Sequence, residues 1–400
     1  MADNKDKKVL NVPALRFPEF TGEWERHKLS EVCSFYSGGT PSSSKKEYYN
    51  GNIPFIRSGE LHKDYTELFI TEAGLSNSAA KLVETGDLLL ALYGATSGDI
   101  AISKIKGAIN QAILCIRTKQ NKKFIESVWN KHVERLLQTY LQGGQGNLSA
   151  DIVKNIPFYF ANSNEQDKLA KFISLLDERI ATQNKIIEKY ESLIQAMCDT
   201  LIERETQQVA LSFSDFGQSY SGLSGKNAED FGDGYPFITY MNVYQNQIID
   251  STDVGLVKIK ETEQQSVVHY GDILFTLSSE TPEEVGMGAV YLGETYPLYL
   301  NSFCFGIHIT DEAKIYSPFL AYYVSSQSFR KAVYPLAQGS TRFNLQKSDF
   351  MKKKFSFPMI EKQCKIYSIL NTYSDKLIVE KQIIGLLCSQ KRYLLRQLFI

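Results

Sequence analysis

Two long stretches of the chain place apolar residues in alternating steps of four and three. In the first, Leu169, Ile173, Leu176, Ile180, Gln183, Ile187, Tyr190, Ile194, Met197 and Leu201 keep the spacing of a coiled-coil seam. Neither proline nor glycine occurs between Pro157 and Gly217, which predicts one uninterrupted helix. Ser163 with Gln166 three residues later fits a capping box at its start. Helical rise makes the 165–202 segment roughly 57 Å long, too long to bury within one compact domain.

A shift of 197 positions recovers the same ladder as Ile366, Leu370, Tyr373, Leu377, Glu380, Ile384, Leu387, Lys391, Leu394 and Leu398, interrupted by Gly385. Each seam carries a polar residue at the same step, Gln183 and Glu380. Two apolar seams satisfy each other most economically, and a polar residue in each fixes register at some cost in stability. The other reading, two amphipathic helices on separate domains, fits the strict spacing less well.

The duplication extends upstream of both helices. "FYSGGTP", "NIPFIR", "ETGDLLLALYGATSGDIAI" and "GAINQAILCIR" in the first half correspond in order to "SYSGLSG", "GYPFITY", "HYGDILFTLSSETPEEVGMGAV" and "LYLNSFCFGIHI" in the second. A Gly-Asp turn, Gly86-Asp87 or Gly271-Asp272, opens an apolar strand, and a glycine-bearing loop follows. The next strand starts near Asn110 or Asn301. A helix is predicted over Phe124 to Tyr140, and another from Ser317-Pro318, with the serine as cap and proline at the first helical position. The fold class is α+β, as two pseudo-repeated domains each followed by a long helix. The expected boundaries are an N-terminal arm over 1–22, a first domain over 23–160, a helix over 161–206, a second domain over 207–358 and a last helix over 359–400.

Composition narrows the function without naming it. A hydrophobic content of 43% with 12% aromatic residues excludes a disordered chain. Lys plus Arg number 44 against 45 acids, so a surface for a polyanion must come from uneven distribution, and the segment from Gln338 onward is basic. The six cysteines form no CxxC pair or Cys/His ligand spacing, so they read as buried apolar thiols in a reducing cytosol. No apolar run approaches a membrane span, and a cytoplasmic location is expected. HExxH, GxSxG, DxDxDG and GxxxxGK[ST] are all missing, and the five histidines lie in dissimilar contexts that read as surface or structural groups. No self-contained active site is legible.

Duplicated domains on a stiff spacer suit a target with two separated sub-sites, and bipartite DNA is such a target. Because the halves have diverged, the two half-sites are expected to differ. The layout resembles the specificity subunit of type I restriction and modification systems. The resemblance rests on "VPALRFPEFTGEWERHKLSEV", "GDLLLALYGATSG", "GDILFTLSSE", and the helix starts "NEQDKLAKFISLLDERI" and "EKQCKIYSILNTYSDKL". It covers nearly the whole chain, and Lys362 departs from it where the first helix has Glu165. It implies two target recognition domains, an antiparallel coiled coil, double-stranded DNA as ligand, and docking of two methyltransferase and two restriction or motor subunits. It also implies that this chain is non-catalytic and that S-adenosylmethionine, ATP and Mg belong to the partners.

Phosphate contacts come from Lys, Arg and loop amides, and base reading from Arg, Asn, Gln, Ser and Thr. In the first half these are Arg57 and Ser58 after "NIPFI", Tyr93, Thr96 and Ser97 in the glycine loop, Lys104 and Lys106, and Gln145 and Asn147 in "GGQGN". The second half offers Tyr240 and Asn242, Ser278, Ser279 and Thr281, and Ser340, Thr341, Arg342 and Asn344 in "GSTRFN", with Arg342 the strongest single choice. The lysines of "MKKKF" fit either a blunted strand edge or electrostatic steering. The rival function is a two-domain coiled-coil adaptor for protein or glycan ligands.

Overall fold

The computed structural model describes residues 10–141 and 147–400. The chain divides into two compact units, one comprising residues 1–184 with 382–400 and the other residues 185–381. Each unit takes a share of both long helices, Ser163–Glu203 and Ile360–Leu398.

The pseudo-repeat reaches the level of strand register. In the first unit an antiparallel sheet runs in the order Cys33–Ser37, Ile113–Thr118, Leu88–Ala91, Ile100–Ile102; in the second, Gly217–Ser221, Cys304–Ile309, Ile273–Thr276, Gly288–Val290. Tyr36 faces Cys115 as Tyr220 faces Gly306. A second sheet in each unit contains a short parallel pairing, Phe55 with Ala108 and Phe237 with Tyr299. The matched glycines have matched reasons. Gly86 and Gly271 take φ of 89° and 86° in the turns before the central strands, a conformation that a side chain disfavours. A Cβ on Gly38 would lie 1.8 Å from the Ile109 carbonyl oxygen, and one on Gly222 2.0 Å from that of Asn301.

Aromatic residues fill the cores. Trp24, Phe124 and Trp129 are buried in the first unit, and Phe213, Phe275, Phe329 and Phe350 in the second. Each long helix is buckled to its domain by one buried glutamine. Gln166 accepts the Asn121 amide (3.2 Å) and donates to the Ala161 carbonyl (2.8 Å) and Gln120 (2.7 Å). Gln363 accepts the Tyr316 amide (2.9 Å) and donates to the carbonyls of Pro358 (2.8 Å) and Lys314 (3.1 Å). Capping differs from expectation. Asn162, not Ser163, caps the first long helix: its side-chain oxygen accepts the Glu165 amide at 3.0 Å, and Ser163 is already the first helical residue. Tyr316, not Ser317, occupies the cap of the Ser317–Tyr323 helix.

The seams pair with each other, antiparallel. In the first unit Leu169 and Ile173 share a core with Leu395 and Leu398, and Asp177 pairs with Lys391 at 2.5 Å. In the second, Ile194, Cys198 and Ile202 share a core with Ile366 and Leu370, and Glu191 pairs with Lys381 (2.7 Å) and Glu205 with Lys362 (3.2 Å). The ladder positions Leu176, Ile180, Leu377, Ile384 and Leu394 are half-buried, and Ile187 and Leu387 are buried. Gly385 does not break the second helix. Two cysteines depart from the expectation of buried thiols, since Cys364 and Cys388 lie exposed on that helix. No helix among the described residues is long and apolar enough to cross a membrane.

Candidate nucleic-acid interface

In the second unit the central strand Ile273–Thr276 is wholly buried, and the chain emerging from it builds a polar surface. Ser278 and Ser279 pair with Asn344 and Phe343, and the Leu345 amide donates to the Leu277 carbonyl at 2.8 Å. Two loops far apart in sequence are thereby joined. Tyr240 donates its hydroxyl to the Ser278 carbonyl at 2.7 Å and adds a third element. Together they enclose an open cavity of about 670 Å³ lined by Tyr240, Met241, Tyr244, Ser278, Ser279, Glu280, Glu284, Thr341 and Arg342.

The chemistry of this cavity is mixed. Arg342 is exposed, forms no ion pair among the described residues, and lies 5.8 Å from the Phe303 ring centroid. Glu280 and Glu284 supply acceptors, and the Ser278 hydroxyl is buried without a hydrogen-bond partner. Burial pushes the Tyr240 phenol up. A fork of donors beside carboxylates and tyrosine rings suits base edges, where arginine reads guanine and a carboxylate accepts the cytosine amino group.

Other expected residues fall into place unevenly. Thr281, Ser340 and Asn344 are exposed on the same loops, and the Thr281 carbonyl accepts the Ser279 hydroxyl. Asn242 is a correction. It is fully buried, its amide donating to the carbonyls of Asp250 (2.8 Å) and Asp253 (2.6 Å) and its oxygen accepting the Asp250 amide, so it braces a turn and presents nothing to a groove.

The first unit repeats the plan with different side chains. The Leu148 amide donates to the Leu92 carbonyl at 2.9 Å, matching Leu345 and Leu277, and sets exposed Asn147 beside the turn that carries Tyr93, Thr96 and Ser97. Gln145 lies outside the described residues. Tyr93 is exposed, Thr96 is half-buried, and Ser97 spends its hydroxyl on the Leu92 carbonyl (3.0 Å). Lys104 reaches the His62 carbonyl (3.1 Å), and His62 pairs with Asp99 (2.9 Å) at the foot of the loop. Arg57 binds Glu60 (2.7 Å) and Glu67 (3.0 Å), and Ser58 is half-buried in the turn that follows. The Arg57–Glu67 pair is exposed and worth about 0–1 kcal/mol, so a phosphate can displace it, whereas Glu60 is buried and holds Arg57 as its cation. Lys106 is exposed but lies apart from the glycine loop. It pairs with Glu84 (3.0 Å) beside the Gly86-Asp87 turn, at the opposite end of the Leu88–Ala91 strand from Tyr93.

Two residues that hold these loops have no signal in the sequence. Trp129 donates its indole N–H to the Gly98 carbonyl at 2.8 Å. Arg330 takes the corresponding place, donating to the carbonyls of Gly286 (2.6 Å), Glu283 (2.7 Å) and Val285 (2.7 Å). Both lie on helices more than 30 residues from the loop they hold, and no local pattern marks them.

Known proteins agree with this duplicated plan. The family model for the type I restriction modification DNA specificity domain matches twice, over residues 21–192 and 215–387. The specificity subunit of the type I restriction enzyme MjaVIII of Methanocaldococcus jannaschii is 22% identical over 94% of this chain and 92% of its own length. That of EcoR124I/EcoR124II of Escherichia coli is 27% identical over 44% of this chain and 45% of its own. The crystal structure of the S subunit of a type I restriction-modification system from M. genitalium shares the fold, with a TM-score of 0.56 at 16% identity, covering 97% of this chain and 99% of that one. The chain belongs to the type I restriction modification DNA specificity family and carries two copies of its domain.

Proposed function

We propose that this specificity subunit reads a bipartite, asymmetric site in double-stranded DNA, one domain per half-site. It does so as part of a complex with two methyltransferase and two restriction or motor subunits. The observation that carries the reading is the pair of homologous loop junctions, Leu92 with Leu148 and Leu277 with Leu345, which present unlike polar side chains from like scaffolds. Tyr93, Thr96 and Asn147 face one half-site, and Tyr240, Glu280 and Arg342 the other. Unlike readers on like frames make an asymmetric target. The length of the two long helices sets the number of unread base pairs.

In this reading the chain is non-catalytic, and S-adenosylmethionine, ATP and Mg serve the partner subunits. The chain alone carries little net charge, so the partners supply much of the phosphate contact and the isolated chain binds DNA weakly. Co-expression with a type I methyltransferase subunit tests this. The expected result is a stable complex that methylates adenine in a two-part motif, which neither protein does alone. Tight, sequence-specific mobility shifts by the isolated chain, or methylation without a partner, would overturn it.

A further inference from the structure

Asp272 follows the Gly271 turn and opens the central strand of the second unit, and it is 2% exposed. Its Oδ2 accepts the Tyr220 hydroxyl (2.7 Å) and the His269 amide (2.9 Å), and its Oδ1 lies 2.8 Å from His308 Nδ1. The rings of His269 and His308 are 4.8 Å apart between centroids. One ligand atom from each of His269, Asp272 and His308 falls within 4.8 Å of the others.

The first unit shows what this position ordinarily holds. Its counterpart, Asp87, accepts the Glu84 amide (3.0 Å), as Asp272 accepts that of His269. Two residues beyond the matched register pairs Tyr36–Cys115 and Tyr220–Gly306 stand Arg117 and His308. Arg117 pairs with Asp87 at 2.9 Å, Lys122 adds a second cation at 3.5 Å, and the guanidinium lies over the Tyr36 ring as His308 stacks on Tyr220. One unit thus gives its buried carboxylate two permanent cations. The other puts histidine where that arginine was and a second histidine where Glu84 was. Among the described residues no lysine or arginine forms an ion pair with Asp272.

A buried carboxylate without a cation is costly. Two imidazoles and one carboxylate are a donor set suited to zinc-class cations, with a remaining position open to water on the exposed His269 side. We propose that His269, Asp272 and His308 bind a divalent transition cation of the zinc class, which does for Asp272 what the Arg117 guanidinium does for Asp87. The site joins the turn before the Ile273–Thr276 strand to the Cys304–Ile309 strand, at the end of the sheet away from Ser278 and Ser279, so its role is structural.

Titration of the chelator-treated full chain with Zn²⁺, followed by calorimetry and thermal unfolding, tests the assignment. The expected result is one site of about 1:1 stoichiometry that raises the unfolding temperature. His308→Arg restores the arrangement of the first unit, so it folds, and it should abolish both effects. His269→Ala should weaken binding at least 10–100-fold, the loss that even an outer-sphere partner causes. Co²⁺ in place of Zn²⁺ should give visible bands without a thiolate charge-transfer band, which separates this site from the exposed Cys364 and Cys388. No binding, equal binding by wild type and His308→Arg, or a thiolate signature would each overturn the proposal.

Discussion

Gln363 accepts the Tyr316 backbone amide at 2.9 Å while its own amide group donates to two carbonyls, and the side chain is fully buried at the start of a long helix. Gln166 does the same work in the first unit. Gln363→Leu keeps the volume and strands one amide and two carbonyls. It should lower unfolding free energy by about 3 kcal/mol, since each unmet buried group costs about 1–3 kcal/mol. Chemical denaturation of the full chain measures it, and a change under about 0.5 kcal/mol, the usual range of a neutral surface substitution, would refute the buckle.

Arg330 is a positioning residue, because it holds the Glu283–Gly286 backbone and does not line the cavity. Burial lowers its pKa. Arg330→Ala should impair methylation at the second half-site, while Arg330→Lys, which cannot reach three carbonyls at once, recovers part of it. Hydrogen exchange should rise over residues 280–287 in the alanine variant. Unchanged exchange there would show that the guanidinium is dispensable to the loop.

Arg342 is the test of reading itself. Arg342→Ala should cost about 1–3 kcal/mol, the worth of one bidentate base contact, and relax a single base position in the second half-site. The first half-site should stay as stringent as before. Methylome sequencing of a host carrying the variant complex resolves both, and a uniform loss at every site would mark Arg342 as a phosphate contact instead.

The Glu60 carboxyl provides a pH prediction. Burial works to raise its pKa, but the Arg57 side chain and amide with the Thr66 hydroxyl outweigh it and bring it from 4.5 down to about 2. A depressed carboxyl contributes stability that is full above the unfolded value and lost as pH falls toward the folded one. Glu60→Gln should therefore be less stable than wild type at pH 7, with the gap closing between about pH 4.5 and pH 2. Urea midpoints for both chains across that range check the sign. A gap independent of pH would mean the pair contributes no charge-dependent stability.

The repeat and the zipped seams were legible in the primary chain because they rest on local chemistry. Three-four spacing makes Leu169 and Ile366 seam residues wherever the helix lies. A Gly-Asp turn before an apolar run means much the same in any context, so Gly86-Asp87 and Gly271-Asp272 were readable, as were the loops carrying Tyr93 and Arg342. Position within those loops was another matter. Asn242, Tyr240 and Arg342 look alike as polar loop residues, yet packing buries the first and joins the other two around one cavity. Arg330 and Trp129 grip loops more than 30 residues away, and His269, Asp272 and His308 meet only because antiparallel register sets Cys304–Ile309 beside Ile273–Thr276. Periodicity encodes which face of an element is apolar; which distant side chains then meet depends on register and long-range packing, which arise only when the chain has folded.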